Sequence, residues 1–161
     1  MTEQTWFAEL YEGCYRRLVL TAYAMTNDLG AAEEVTQEAF AIAYGRQAKV
    51  AGADNPEAWL RTVVVNLIRR RWRRRAMLDR ILHRQHPEPV DPHPGEHLDL
   101  HAAIQGLGPE FRSVVVLHYL ADLPVDEVAS ILDIPLGTVK SRLYRARATL
   151  AQRLHTEVDH A

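Results

Sequence analysis

The sequence predicts an all-α protein of two small helical domains, and three observations carry that expectation. Apolar residues recur at the spacing of amphipathic helices along most of the chain. A cluster of prolines interrupts that periodicity once. At 161 residues, 47% of them apolar, the chain has room for one ordinary domain or two small ones, each with a core of its own.

Phe7, Leu10, Tyr11, Cys14, Leu18 and Ala22 form the stripe of a first helix, which Asn27, Asp28 and Gly30 are expected to break. Ala32, Val35, Ala39, Ile42 and Ala43 mark a second helix that fades at Gly45. Residues 45–55, GRQAKVAGADN, lack periodicity and read as a loop. Asn55 followed by Pro56 offers an N-cap and a proline at the first helical position, opening a helix whose apolar face is Trp59, Leu60, Val63, Val64, Leu67 and Ile68. Three consecutive valines, 63 to 65, would suit a strand, but the cap and the helical period outweigh that propensity.

Pro87, Pro89, Pro92 and Pro94 fall within residues 85–96, where they exclude helix and predict a flexible, extended Pro-rich linker between domains at 1–84 and 97–161. Beyond it Leu100, Ala103, Ile104 and Leu107 begin a helix that stops at Gly108. Pro109 starts another, carrying Phe111, Val114, Val115 and Leu117, and Pro124 and Pro135 open two more.

The formal charge of −2 hides a strong pattern: −5 over residues 1–60, +8 over 61–84, −8 over 85–135 and +3 over 136–161. Two basic islands in acidic surroundings imply separate anion-binding surfaces, with acidic surfaces left for a basic partner. Cys14 is the only cysteine, so neither an internal disulfide nor a thiolate zinc cluster is possible. No basic start precedes a long apolar run, and no apolar stretch reaches the ~18 residues of a membrane span, so a cytoplasmic protein without membrane contact is expected.

The segment RRRWRRR places Arg69, Arg70, Arg71, Arg73, Arg74 and Arg75 around Trp72, and no acid occurs from Ala58 to Leu78. On a helix these arginines are like-charged neighbours one turn apart, each pair costing ~0.2–0.5 kcal/mol, which a bound polyanion would relieve. Guanidinium groups suit phosphate geometry, and Trp72 either stacks on an unpaired base or covers the core.

A second motif, VDEVASILDIPLGTVKSRLYRAR at residues 125–147, has helix-turn-helix spacing. Val128, Ala129 and Leu132 end one helix, Asp133 and Ile134 turn the chain, and Val139, Leu143 and Ala146 are the buried stripe of the next. Thr138, Lys140, Ser141, Arg142, Tyr144 and Arg145 surround that stripe with donors for base edges and phosphates. Histidines 83, 86, 93, 97 and 101 have ligand-like spacing but cluster in or beside the proline tract, so no metal is assigned. No P-loop, nucleophile elbow or paired-acid arrangement stands out, so no catalytic residue, cofactor or small-molecule substrate is expected.

Taken together these residues resemble the extracytoplasmic-function (ECF) class of the sigma-70 family of RNA polymerase sigma factors. AAEEVTQEAFAIAYGR is similar to that class's core-polymerase-binding helix, NPEAWLRTVVVNLIRRRWRRR to its promoter-melting helix, and LGTVKSRLYRARATL to its recognition helix, in the right order. The resemblance implies a region 2 helical bundle followed by a region 4 helix-turn-helix. It implies that Glu34, Val35, Gln37, Glu38 and Phe40 meet the beta-prime coiled coil of the polymerase core, with the beta flap as a second contact. Residues 45–55 would capture an unstacked base of the minus-ten element, while Trp59, Arg61, Asn66, Arg69, Arg70 and Arg73 hold the opened strand. Thr138, Lys140, Ser141, Arg142, Tyr144 and Arg145 would read the minus-35 element of promoter DNA. An anti-sigma factor is a further partner the resemblance admits. Two other readings compete with it: an autonomous helix-turn-helix regulator, which leaves the Arg-Trp helix and acidic first half unexplained, and a helical protein-protein adaptor.

Overall fold

The computed structural model describes residues 2–83 and 100–160. The chain divides into two compact units, Met1–His83 and Arg84–Ala161, and the linker expected over residues 85–96 lies outside the described residues. Among the described residues every regular element is helical.

The first unit packs three long helices pairwise: α1 (Glu3–Thr26), α2 (Leu29–Gly45) and α4 (Pro56–Leu82), with the short α3 (Gln47–Ala51) between the last two. Thr2 caps α1 by accepting from the Thr5 amide at 3.3 Å. Asn27 ends the helix in the left-handed conformation, φ 54°, its N–H on the Tyr23 carbonyl at 2.8 Å. Asp28 then caps α2 by accepting from the Ala31 amide at 3.0 Å. The break expected over Asn27, Asp28 and Gly30 is therefore confined to two residues, and Gly30 stands in the first turn of α2.

Residues 45–55 hold a further departure from expectation, because α3 forms where a loop is predicted. Its single fully buried side chain, Val50, ties it down, and one buried residue in five leaves no periodicity to read. Asn55 caps α4 as expected, accepting from the Ala58 amide at 3.1 Å, with Pro56 directly after it.

Leu18, Ala22 and Met25 of α1, Ala32, Val35, Ala39 and Ala43 of α2, and Leu60, Val64 and Ile68 of α4 make the core. Small alanines let the helices approach closely, and each large side chain removed from water contributes about 1.5–3 kcal/mol. Val64 and Val65 are both fully buried while Val63 is half-exposed, which a strand with alternating faces would not allow. Buried Thr36 donates its hydroxyl to the Ala32 carbonyl at 2.7 Å. Arg17 clamps α1 to the first turn of α4 through both carboxylate oxygens of Glu57, at 2.8 and 3.2 Å.

The second unit comprises α5 (Leu100–Gln105), α6 (Pro109–Val115) continuing into a π-helical turn (Val116–Leu120), α7 (Val125–Leu132) and α8 (Leu136–His160). Leu100 is exposed, while Ala103, Ile104 and Leu107 enter the core with Val114, Val115, Leu117, Val128, Leu132, Val139 and Leu143. The π turn, unannounced by the sequence, closes when the Ala121 amide donates to the Val116 carbonyl at 2.9 Å. Arg112, half-buried, donates to the carbonyls of Gln105 and Leu107 at 3.2 and 3.0 Å. Arg153 of α8 reaches the carbonyls of Ala103 and Gly106 at 3.5 and 3.3 Å. Two cations thus satisfy the C-terminal carbonyls of α5, and burial lowers the pKa of Arg112. A β-carbon at Gly106 would strike the Arg153 guanidinium and push it off these carbonyls.

Between α7 and α8, Asp133 adopts the left-handed conformation, φ 53° and ψ 50°, and the Ile134 amide donates back to the Ala129 carbonyl at 3.1 Å. Asp133→Gly should raise the unfolding free energy by up to about 1 kcal/mol and Asp133→Val should lower it by about 1–2 kcal/mol. Urea unfolding followed by helical circular dichroism measures both; a glycine variant less stable than the parent would mean that the aspartate side chain contributes more than its conformation costs.

Cys14 is buried against α4, and its thiol donates to the Leu10 carbonyl at 3.1 Å. Burial first, then the charge of Glu57, pushes its pKa from 9.0 up to about 11 against the opposing pull of Arg17 and Arg61. Because the fold favours the neutral thiol, this contribution to stability is complete below about pH 9 and is lost as pH rises toward about 11. At pH 8 alkylation of the native protein by iodoacetamide should be much slower than alkylation of the urea-unfolded chain. Equal rates would contradict the buried placement.

Candidate nucleic-acid interface

At about 100° per residue, Trp59, Asn66, Arg70 and Arg73 fall on one side of α4. Asn66, Arg70 and Arg73 are exposed there, Trp59 is half-buried at the upper end, and Arg69 flanks the stripe half-buried. The structure brings these five together. Arg61 stands apart, on the side of α4 whose charge acts on Cys14 of α1. It is half-buried beside the core rather than aligned with the stripe.

Arg71, from the same basic run, turns to α2, its guanidinium 3.2 Å from Glu34 and 3.7 Å from Glu38. All three side chains are largely exposed, 40%, 70% and 49%, so the pairing orients the helices more than it stabilises them. This contact escapes a reading of α2 or α4 alone, because the partners are 37 residues apart.

On α2, Glu34, Gln37 and Glu38 are exposed along one edge, as a surface role requires. Val35 and Phe40 are not: they are 0% and 4% exposed, and their assignment to the same surface is corrected by the helical period that turns both into the core. Phe40 is instead the centre of an aromatic cluster with Phe7, Tyr11 and Tyr15 of α1 at centroid distances of 6.0, 4.9 and 6.0 Å. Tyr44 joins through Phe7 at 5.3 Å, and the Gln37 amide donates to the Tyr15 hydroxyl at 3.4 Å. The cluster's outer members, Tyr11 and Tyr44, are 38% and 54% exposed beside the acidic edge. Phe7, Tyr11 and Tyr15 are spaced by four residues, a signal the sequence carries but whose link to α2 only the packing reveals.

In the second unit Val139, Leu143 and Ala146 are buried on the inner side of α8, and Lys140, Ser141, Tyr144 and Arg145 are exposed on the outer side. Tyr144, 72% exposed, has no structural use for its ring within the unit's core. Thr138 and Arg142 are half-buried, Arg142 on the edge that meets α6. There Arg142 lies 3.8 Å from Glu110, and the Arg145 guanidinium lies 5.7 Å from the centre of the Phe111 ring. The arrangement offers hydrogen-bond donors and positive charge along an exposed helix that a major groove can accept.

Among the described residues no three of His, Cys, Asp or Glu come together in a way that could hold a metal ion. His83 and His101 are described; His86, His93 and His97 are not. No described helix is long and apolar enough to cross a membrane.

A model of sigma-70 region 2 matches residues 10–77, and a model of sigma-70 region 4 matches residues 97–150. The RNA polymerase sigma-E factor of Streptomyces antibioticus is 34% identical over 154 residues, covering 93% of this chain and 85% of the relative. The ECF RNA polymerase sigma factor SigW of Bacillus subtilis is 28% identical over 178 residues, covering 94% of this chain and 90% of the relative. The sigma factor RpoE, solved in complex with the anti-sigma factor NepR from Bartonella quintana, superposes with a TM-score of 0.75 at 26% identity, covering 93% of this chain and 96% of that one. Region 2 on the first unit, region 4 on the second and relatives matched along most of their length lead to one conclusion: the chain belongs to the ECF class of the sigma-70 family of RNA polymerase sigma factors.

Proposed function

We propose that this chain acts in the cytoplasm as an alternative sigma factor that guides RNA polymerase core enzyme to a particular set of promoters through two DNA-reading surfaces. The observation that carries this reading is the pairing of unlike surfaces on adjoining helices. An acidic edge, Glu34, Gln37 and Glu38, runs along α2, and an arginine stripe, Asn66, Arg69, Arg70 and Arg73, runs along α4. The first suits a basic protein partner, the beta-prime coiled coil, and the second an anionic strand.

The two domains, 1–84 and 97–161, then divide the promoter between them, joined through residues 85–96. The arginine stripe and Trp59 hold the minus-ten strand as it opens, with a base captured by the segment 45–55. Contacts to the unstacked base offset the few kcal/mol that unpairing costs. The second domain reads the minus-35 element with Lys140, Ser141, Tyr144 and Arg145 while docked on the beta flap. No step makes or breaks a covalent bond in this chain, which lowers the barrier to opening and leaves RNA synthesis to the polymerase. An anti-sigma factor would act by covering either surface.

Glu34→Gln combined with Gln37→Ala should weaken binding to core enzyme by about 1 kcal/mol or more, a loss of roughly fivefold, with helical circular dichroism unchanged. Affinity measured by fluorescence titration at the parent level would remove α2 from the interface.

DNA binding by the chain alone should be weak and strongly salt-sensitive, with a dissociation constant above ~10⁻⁶ M near physiological salt. Adding core enzyme should yield tight, sequence-specific binding and transcripts from a defined start. Nanomolar, sequence-specific binding by a dimer of the isolated chain would replace this reading with an autonomous regulator.

A further inference from the structure

The first turn of α6 touches the recognition helix at two points that no DNA-facing motif predicts. The Arg145 guanidinium carbon lies 5.7 Å from the centroid of the Phe111 ring, inside the ~6 Å reach of a cation–π contact. One residue earlier, Glu110 faces Arg142 with 3.8 Å between carboxylate oxygen and guanidinium nitrogen. Phe111 is half-buried and is followed by Ser113, Val114 and Val115 in the core, so its ring is held by the body of the domain. Arg145 is exposed.

A long arginine on an exposed helix explores many rotamers, and a bidentate contact to a base edge uses only one of them. A ring placed under the guanidinium restricts that choice before DNA arrives. It does so without using the donors, because the contact engages the positive charge over the ring while the N–H groups at the edge stay available. Glu110 acts on the neighbouring arginine in the complementary sense, holding Arg142 toward α6 and reducing its pull on phosphate of any sequence.

We propose that Phe111 is a positioning residue for sequence reading: it aims Arg145 at the base it contacts in the upstream promoter element, with Glu110 restraining Arg142 beside it. This rests on the assignment of Arg145 as a base-reading residue.

The test uses the full chain loaded on core enzyme, with equilibrium binding to promoter fragments in which each base pair of the upstream element is substituted in turn. Arg145→Ala should collapse the preference at one or two base pairs by about 5- to 150-fold. Phe111→Leu, which keeps apolar bulk and loses the ring, should lower the preference at the same base pairs by about two- to fivefold. Phe111→Tyr should restore it, and Phe111→Leu should cause no further loss in the Arg145→Ala background. Glu110→Gln should strengthen binding to all fragments alike.

If Arg145→Ala abolishes the preference while Phe111→Leu keeps it in full, the positioning role is wrong and the reading of Arg145 stands. If Arg145→Ala itself has no effect, the base-reading assignment falls and the inference falls with it. A loss in Phe111→Leu at base pairs that Arg145→Ala leaves untouched, or a failure of tyrosine to rescue, would mark Phe111 as a packing residue and overturn the proposal.

Discussion

Three arginines on either side of Trp72 set like charges one helical turn apart, and a helix so charged stands only because its other face is buried. Leu60, Val64, Val65, Leu67 and Ile68 bind α4 to α1 and α2, and their burial exceeds the repulsion, at a few tenths of a kcal/mol per pair, several times over. The surplus lets α4 remain free of acids from Ala58 to Leu78. Asn55, Pro56 and the Arg17–Glu57 clamp fix where the helix begins, and hence which arginines face outward. Arg71 of the run pairs with Glu34 and Glu38 across to α2. The acidic edge and the arginine stripe are therefore joined electrically, and a basic partner approaching α2 competes with Arg71 for the same carboxylates.

The second unit solves a different problem, holding a long helix still while leaving one side bare. The inner stripe of α8 is only three residues deep over its reading half, Val139, Leu143 and Ala146. Its direction is set instead by what brackets it: the left-handed turn at Asp133, the hydrogen bonds of Arg153 to the end of α5, and Arg147 donating to the Tyr119 hydroxyl at 2.9 Å. Each bracket comes from a different element, so a shift of α8 about its axis would break several contacts at once. That rigidity is what a reader of base edges needs, since hydrogen-bond strength falls steeply with misalignment.

What the sequence reveals and what it hides separate along a physical line. Elements stabilised by repetition, the long stripes of α1, α2, α4 and α8, are legible because burial repeats every three or four residues. Caps and turns at Asn27, Asp28, Asn55 and Asp133 are legible because each uses a side chain whose local chemistry favours that conformation. The short helix at Gln47–Ala51 and the π turn at Val116–Leu120 are hidden: each is a single turn or little more, too short for a burial period to repeat. The exposure of the arginine stripe and of the outer face of α8 is legible in the same helical period. The burial of Val35 and Phe40 follows from the same period that places Glu34 and Glu38 outside, so applying the stripe to every residue of that segment would have separated them. Arg71 with Glu34, and Arg145 with Phe111, could not be read, because contacts at separations of 37 and 34 residues leave no local pattern.

The distribution of charge gives these separate designs a common logic under the proposed function. Acidic balance over residues 1–60 and 85–135, against basic balance over 61–84 and 136–161, means that each DNA-facing helix is surrounded in sequence by like-minded repulsion of DNA. A duplex drawn to the arginines of α4 also meets the carboxylates of α2, and one drawn to α8 meets Glu110. Within a Debye length of ~8 Å such opposing charges offset one another, so the attraction that would hold the chain on DNA at random is weakened. Covering the acidic edge with a basic surface removes the offset and leaves the arginines unopposed. Under the proposed function, affinity for DNA is thereby conditional on assembly, while the choice of sequence rests with the few side chains proposed to read bases.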